Sequence, residues 1–328
     1  MTKLVTIFGG SGFLGRYIAR RMAKEGWRVR VAVRRPNEAI FVRPYGTVGQ
    51  VEPIFANIRD DDSVRAAIHG ADAVVNCVGV LAPRGKNTFG LVQHHGAARI
   101  AKLAAEEGAE TLVQISAIGA DENSASDYAR TKALGEAAVL EAHPRAVILR
   151  PSVVFGPEDE FLNRFAKMTR MSPFLPVVGA NTRFQPVYVD DVAKAAVMGV
   201  TGKAQPGIYE LGGPEVRSFR NLMQMMLKVI RRRRLIVAVP FWLAGIMGGA
   251  FDLLQSVTLG LFHNGLLTRD QVKNLRQDNV VTEGRKTFED LGIHPTAMEL
   301  VIEDYLWPYR PSGQFNVSKE SAERLKGS

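Results

Sequence analysis

The chain has 328 residues, 46% of them hydrophobic, enough to bury one large core or two coupled ones. Its single cysteine, Cys77, excludes a disulfide framework, a CxxC zinc site or a cysteine-ligated iron–sulfur cluster built within the chain, so any electron handling falls to a bound organic cofactor. A formal charge of +9, with no nucleic-acid motif and no aromatic–basic interleaving, points to an anionic membrane surface or a protein partner rather than nucleic acid. No apolar run is long and clean enough for an obvious membrane span. The first strand begins so early that no leader is expected. That suits a bacterial chain, or the mature form of an imported one, in a reducing compartment.

Leu4–Phe8 reads as a buried strand. It runs into Gly9-Gly10-Ser11-Gly12-Phe13-Leu14-Gly15 and then into a helical pattern over Arg16–Glu25. Strand, glycine turn and helix hold a dinucleotide pyrophosphate. Gly9 takes the tight turn, Gly12 lets the backbone approach the phosphates, and Gly15 lets the helix pack close to the strand. Ser11, Phe13 and Leu14 then face the ligand, whose phosphates sit on the helix's free N–H groups and positive dipole end.

Trp27–Val33 and Val51–Ala56 are predicted as the second and third strands, with a short helix over Ser63–His69 ended by Gly70. Ala73–Val78 is a continuous apolar strand of the kind found in doubly covered parallel sheets. A helix over Val92–Glu107, a strand over Thr111–Ile115, a helix over Ser126–Ala142 and a strand over Ala146–Arg150 complete the alternation. The expected fold is α/β, a Rossmann-type doubly wound parallel sheet over residues 1–150 with its ligand at the strand C-termini. A smaller, interleaved C-terminal domain is expected over 151–310, followed by a polar tail over 311–328. That second half is punctuated by Pro173, Pro176, Pro186, Pro206 and Pro214. It carries a predicted helix over Leu222–Val229, then the block Arg231-Arg232-Arg233-Arg234 and the uncharged run Leu235–Phe251. Pro240, Gly248 and Gly249 argue against a spanning helix there. The basic block beside Pro240–Met247 could seat an amphipathic surface on anionic headgroups, or be the solvated end of a substrate-domain helix.

The second strand ends in Val33-Arg34-Arg35-Pro36. No acid stands where an NAD-binding fold offers one to the ribose 2′-hydroxyl. Two guanidiniums can instead bind a 2′-phosphate, with Arg16 near the same pocket, so NADPH is expected over NADH. Asn57 and Ile58 follow the third strand, where an adenine contact is expected. Val78 and Gly79 carry the backbone past the cofactor, and Pro151 and Val154 close its far side. Tyr128 and Lys132 lie four apart on one helix face. An ammonium beside a phenol would lower its proton affinity and make it an acid–base group, and the same Lys could reach the nicotinamide ribose. Ser116, at the end of the preceding strand, could orient a carbonyl.

The glycine loop, Tyr128/Lys132, Leu149-Arg150-Pro151-Ser152-Val153-Val154-Phe155-Gly156-Pro157 and Pro186-Val187-Tyr188-Val189-Asp190-Asp191-Val192-Ala193 together resemble the extended or atypical short-chain dehydrogenase/reductases, the NAD-dependent epimerase/dehydratase-like superfamily. The resemblance spans residues 1–310 and implies a substrate-facing domain after Arg150, with Asp191 structural rather than catalytic. The chain departs from the family at one point. Active members carry a further Ser or Thr just past Ser116, where this chain has Ala117 and Ile118. Losing such a donor costs orders of magnitude in rate while leaving nucleotide binding intact.

Three further stretches resemble one atypical branch, the nucleotide-binding accessory subunits of respiratory complex I (NADH:ubiquinone oxidoreductase), in a bacterial-type version. These are Ser116–Glu136, Leu267–Asn279, and Phe288–Ile293 with Tyr305–Arg310. That resemblance implies a tightly held, structural NADPH. It also implies peripheral docking on the cytoplasmic face of the inner membrane, beside complex I subunits where the peripheral and membrane arms meet near the quinone region. The alternative is an active NADP-dependent reductase or nucleotide-sugar epimerase/dehydratase, and a third option is a regulator that reads the NADP(H) ratio.

Overall fold

Seven parallel strands form the central sheet of the computed structural model, which describes residues 2–83, 85–257 and 268–311. In chain order the first half runs β1 (Leu4–Phe8), α1 (Phe13–Lys24), β2 (Arg28–Val33), β3 (Val51–Phe55), α2 (Asp61–Ile68), β4 (Ala73–Asn76), α3 (His95–Glu106), β5 (Thr111–Ile115), α4 (Asp127–Ala142) and β6 (Val147–Pro151). Strands β1 and β4 are buried throughout, Thr6 and Asn76 included, as expected for a sheet covered on both faces. The predicted elements are all present, with ends shifted by a few residues. The helix predicted from Val92 opens instead as a π-helical turn over Gly90–His94. That turn brings the Gln93 carbonyl against Gly135 of α4, where a Cβ would lie 2.1 Å from it, so a side chain there would separate the two helices.

The second half continues with β7 (Val154–Phe155), α5 (Leu162–Met171), β8 (Phe174–Val178), β9 (Arg183–Phe184), β10 (Val187–Tyr188), α6 (Val189–Val200) and β11 (Gly207–Leu211). Then come β12 (Arg217–Ser218), α7 (Phe219–Val229), β13 (Leu235–Val239), α8 (Phe241–Val257), α9 (Arg269–Asn274) and α10 (Ile302–Leu306). Sheet order is β11-β6-β5-β4-β1-β2-β3. Residues beyond 150 thus contribute to the large sheet as well as to the smaller lobe. β11 pairs in parallel with β6, from Gly207 opposite Val147 to Leu211 opposite Pro151, and α6 packs on α1 with Val189, Val192 and Ala196 buried. The chain returns to the large sheet because β6 would otherwise be an uncovered apolar edge. The smaller lobe has its own core around Phe155, Leu162, Phe184, Phe219, Met223 and Met226.

The uncharged run Leu235–Phe251 divides at Pro240 into β13, parallel to β8, and α8. Among the described residues no helix is long and apolar enough to cross a membrane. The predicted polar tail lies outside the described residues beyond Pro311, as does Leu267.

Candidate functional site

β1 ends in a turn that only glycine makes without strain. Gly9 has φ +74°, its N–H donates to the Ala32 carbonyl at 3.0 Å, and its own carbonyl accepts from Gly12 N–H at 2.9 Å. A Cβ on Gly15 would lie 2.3 Å from the Gly9 carbonyl oxygen, so the third glycine sets how closely α1 approaches the loop. A Cβ on Gly12 would meet only the Gly9 carbonyl, at 3.1 Å, so its other side is open for a ligand. Gly12 caps α1 with extended backbone and no side-chain bond, and Arg16 N–H closes the first helical turn on its carbonyl. The N–H groups of Phe13, Leu14 and Gly15 have no partner inside the helix, which makes an anion cradle at its positive end.

Arg16 lies along this loop. Its guanidinium donates to the Ser11 and Gly12 carbonyls at 3.1 and 3.3 Å, pairs with Glu158 at 3.4 Å and stacks over Phe41. At the end of β2 both Arg34 and Arg35 are exposed. Arg35 pairs with Glu38 at 2.9 Å, while Arg34 has no hydrogen bond or ion pair among the described residues. Of the two guanidiniums expected to meet a 2′-phosphate, Arg34 is the free one. Asn57 is turned into its own loop: its Oδ1 accepts from Arg59 N–H at 3.2 Å, and its N–H donates to Ser63 Oγ. Ile58 packs on Gly96 of α3. Burial pushes the Cys77 thiol up to about 12.

Across the strand ends, α4 presents Tyr128 and Lys132. Tyr128 stacks edge-on against Phe89 at 5.9 Å. Lys132 is buried, its Nζ donates to the Ile115 carbonyl at 3.2 Å, and a Cβ on Gly79 would lie 3.4 Å from it. The glycine of the loop after β4 thus leaves room for the ammonium. The expectation that Lys132 lowers the Tyr128 proton affinity is not what the structure gives. Burial pushes the phenol up to about 12 and draws the ammonium down to about 8, against the opposite pull of Glu136.

Ser116 differs from expectation too. It is buried, and its hydroxyl donates to the Glu136 carboxylate instead of facing outward to a carbonyl. Glu136 also accepts two bonds from Arg150, at 2.9 and 2.6 Å, and Arg150 reaches Glu210 at 3.4 Å. A buried carboxylate requires such donors, and Ser116 and Arg150 are the ones at hand. Ile118 is buried, with its N–H on the Pro151 carbonyl, and neither it nor Ala117 offers a hydroxyl after Ser116. Pro151 ends β6, and Val154 is half-buried in β7.

Some organising residues escaped the sequence reading. Asp270, in α9, accepts from Ser126 Oγ at 2.8 Å and from the N–H groups of Asp127 and Tyr128 at 2.7 and 3.1 Å. It holds the first turn of the helix that carries Tyr128. Asn279 takes the Ser152 hydroxyl at 2.7 Å on its Oδ1 and donates to the Ile118 carbonyl at 3.3 Å, tying the ends of β5 and β6. Gln93 donates to the Val80 carbonyl at 2.8 Å and accepts from Thr131 at 2.9 Å. Only the stretch Leu267–Asn279 signalled two of these, as a motif without assigned partners. Asp191 is fully buried, accepting from Lys194 and from Thr296 N–H, as a structural residue should. No group of three or more potential metal ligands occurs among the described residues.

A model of the NAD dependent epimerase/dehydratase family matches residues 5–212. Over 316 residues the chain is 35% identical to NADH dehydrogenase (ubiquinone) 1 alpha subcomplex subunit 9, mitochondrial, of Arabidopsis thaliana, covering 94% of this chain and 79% of that one. It is also 34% identical over 194 residues to a ceramide reductase of Caulobacter vibrioides, covering 59% of this chain and 60% of that one. The fold matches the crystal structure of Thermus thermophilus UDP-glucose 4-epimerase in complex with NAD, with a TM-score of 0.57 at 22% identity over 72% of this chain and 86% of that one. Glycine cradle, sheet order and sequence kinship agree: the chain belongs to the NAD-dependent epimerase/dehydratase family, the extended short-chain dehydrogenase/reductases, and is homologous along nearly its whole length to alpha-subcomplex subunit 9 of complex I.

Proposed function

We propose that this protein is a peripheral accessory subunit of a respiratory NADH:quinone oxidoreductase, holding a nicotinamide nucleotide as a structural element. The nucleotide is NADPH, and the protein docks on the cytoplasmic face of the inner membrane, where the arms of the complex meet near the quinone region. One observation carries the reading. The nucleotide cradle is intact, while the hydroxyl that should serve a substrate is bound inward to Glu136 and the next two positions are Ala117 and Ile118. A site so built binds without an oxyanion-type donor for turnover. The family implies a nicotinamide cofactor. The residues fit one: the N–H groups of Phe13, Leu14 and Gly15 would take the pyrophosphate, and unpartnered Arg34, with Arg16, the 2′-phosphate. Homology with a complex I subunit supports the assembly.

The test is capture of the chain from solubilised membranes with its nucleotide extracted and identified. Co-purified complex and NADPH that resists exchange are expected; a chain absent from the purified complex sinks the reading. Arg34→Gln is expected to weaken NADPH relative to NADH by about ten-fold, read by nucleotide content. A second reading, an active NADP-dependent reductase, is favoured by Lys132, whose ammonium is drawn down to about 8 next to Tyr128 on one helix face. It requires substrate-dependent oxidation of NADPH that Tyr128→Phe abolishes.

A further inference from the structure

A cavity of about 600 Å³ opens on the smaller lobe, away from the glycine loop, lined by Arg220, Arg232, Arg233 and Arg234 together with Leu235 and Ile236. No acid lines it among the described residues. Arg232 and Arg234 are held by backbone carbonyls, those of Tyr309 at 2.8 Å and Thr169 at 2.9 Å. The Arg220 and Arg233 guanidiniums carry no hydrogen bond or ion pair among the described residues. Burial, with Arg234 and Arg170 close by, lowers the proton affinity of Arg232. Four cations gathered without a counter-charge repel one another, and the group that relieves them is an anion.

The chain that leaves the cavity through Leu235 and Ile236 carries apolar side chains that face solvent. Leu235 is 62% exposed, and its cross-strand neighbour in β8, Phe174, is 53% exposed. One residue past β13 begins α8, with Trp242, Leu243, Ile246 and Met247 exposed along one face at a spacing of four. A free phosphate has no use for these apolar side chains. A phospholipid uses both parts: its phosphate meets the arginines and its acyl chains meet the stripe. We propose that this arginine-lined cavity binds the phosphate of an anionic phospholipid headgroup, with β13 and α8 as the apolar seat beside it. The proposal deepens the membrane-peripheral reading above and rests on it.

The purified full chain is tested for partition onto vesicles of phosphatidylcholine alone and of an equimolar mixture of phosphatidylcholine and phosphatidylglycerol. Binding to the mixture only is expected. Arg220→Gln with Arg233→Gln should weaken it roughly 25-fold, at about five-fold per charge near an anionic surface. A charge-matched control on the opposite lobe, Lys24→Gln with Arg28→Gln, should leave it within about two-fold, since the field of an exposed charge falls off within a Debye length. Trp emission should shift to the blue on the mixed vesicles and stay fixed in Trp242→Phe. Equal losses in the two double variants, equal binding to phosphatidylcholine alone, or no Trp242 response overturns the proposal. So does inorganic phosphate that binds the soluble chain through Arg220 and Arg233 when vesicles do not. If the chain never co-purifies with the respiratory complex yet binds anionic vesicles through these arginines, the subunit reading falls and this site stands.

Discussion

Strands β1 and β4 are buried along their whole length, whereas β13, also a run of aliphatic residues, leaves Leu235 and Val237 in solvent. The contrast extends to charge. Around the sheet, buried polar and ionic groups enter as a hydrogen-bonded set, Ser116, Glu136, Arg150 and Glu210. On the smaller lobe four arginines share a cavity that no acid lines among the described residues. A region that satisfies its own polar groups holds its shape and leaves one prepared gap for a small ligand, here the first turn of α1. A region that leaves cations and apolar side chains unmatched is completed by something larger.

Breaking the hydrogen-bonded set should have the largest effect. Glu136→Gln leaves Arg150 and Ser116 partly unpaired in the interior and is expected to cost about 3–5 kcal/mol in urea unfolding. Lys132 comes next. Its ammonium is drawn from the ordinary 10.5 down to about 8 by burial. Between those values the unfolded chain holds the proton that the folded chain has released, so stability rises with pH. The gain is complete above the upper value and lost as pH falls through the lower, and it amounts to about 3 kcal/mol. Lys132→Met should flatten that rise and stabilise the nucleotide-free chain at pH 7, as thermal melts against pH will show. Gly15→Ala forces a Cβ against the Gly9 carbonyl, so about 1–3 kcal/mol of stability and the bound nucleotide should both go, read by melting and nucleotide extraction. The smallest effect sharpens the comparison, because it lies where the two regions touch. Asp270→Asn weakens the cap on α4 by about 1 kcal/mol, visible as faster hydrogen exchange at the Tyr128 amide.

The first region was legible because its signals are local. A buried strand, Gly9, Gly12 and Gly15 lie within a dozen residues, and each glycine has a steric reason that the turn itself supplies. The missing acid before Pro36 was equally visible, although the Arg35–Glu38 pair was not. What escaped depends on distant partners. Nothing in Gly207–Leu211 says that it joins β6, since a short apolar strand fits any open edge. The inward turn of Ser116 is decided by Glu136, twenty residues on, and Asp270 meets α4 from 142 residues away. The raised proton affinity of Tyr128 was hidden for a related reason. Helix spacing places two side chains on one face, but how much water each loses is set by the strands and loops that close over them.

Gly248 and Gly249 of α8 lie against Arg269, where a Cβ on Gly249 would sit 2.3 Å from the arginine Nε. Bare backbone there seats α8 directly on α9, and α9 places Asp270 on the opening turn of α4. Among the described residues, contacts run from α8 through α9 to the opening turn of the helix that carries Lys132. Any coupling carried along that line is reciprocal: by linkage, what contacts on α8 do to nucleotide affinity equals what the nucleotide does to those contacts.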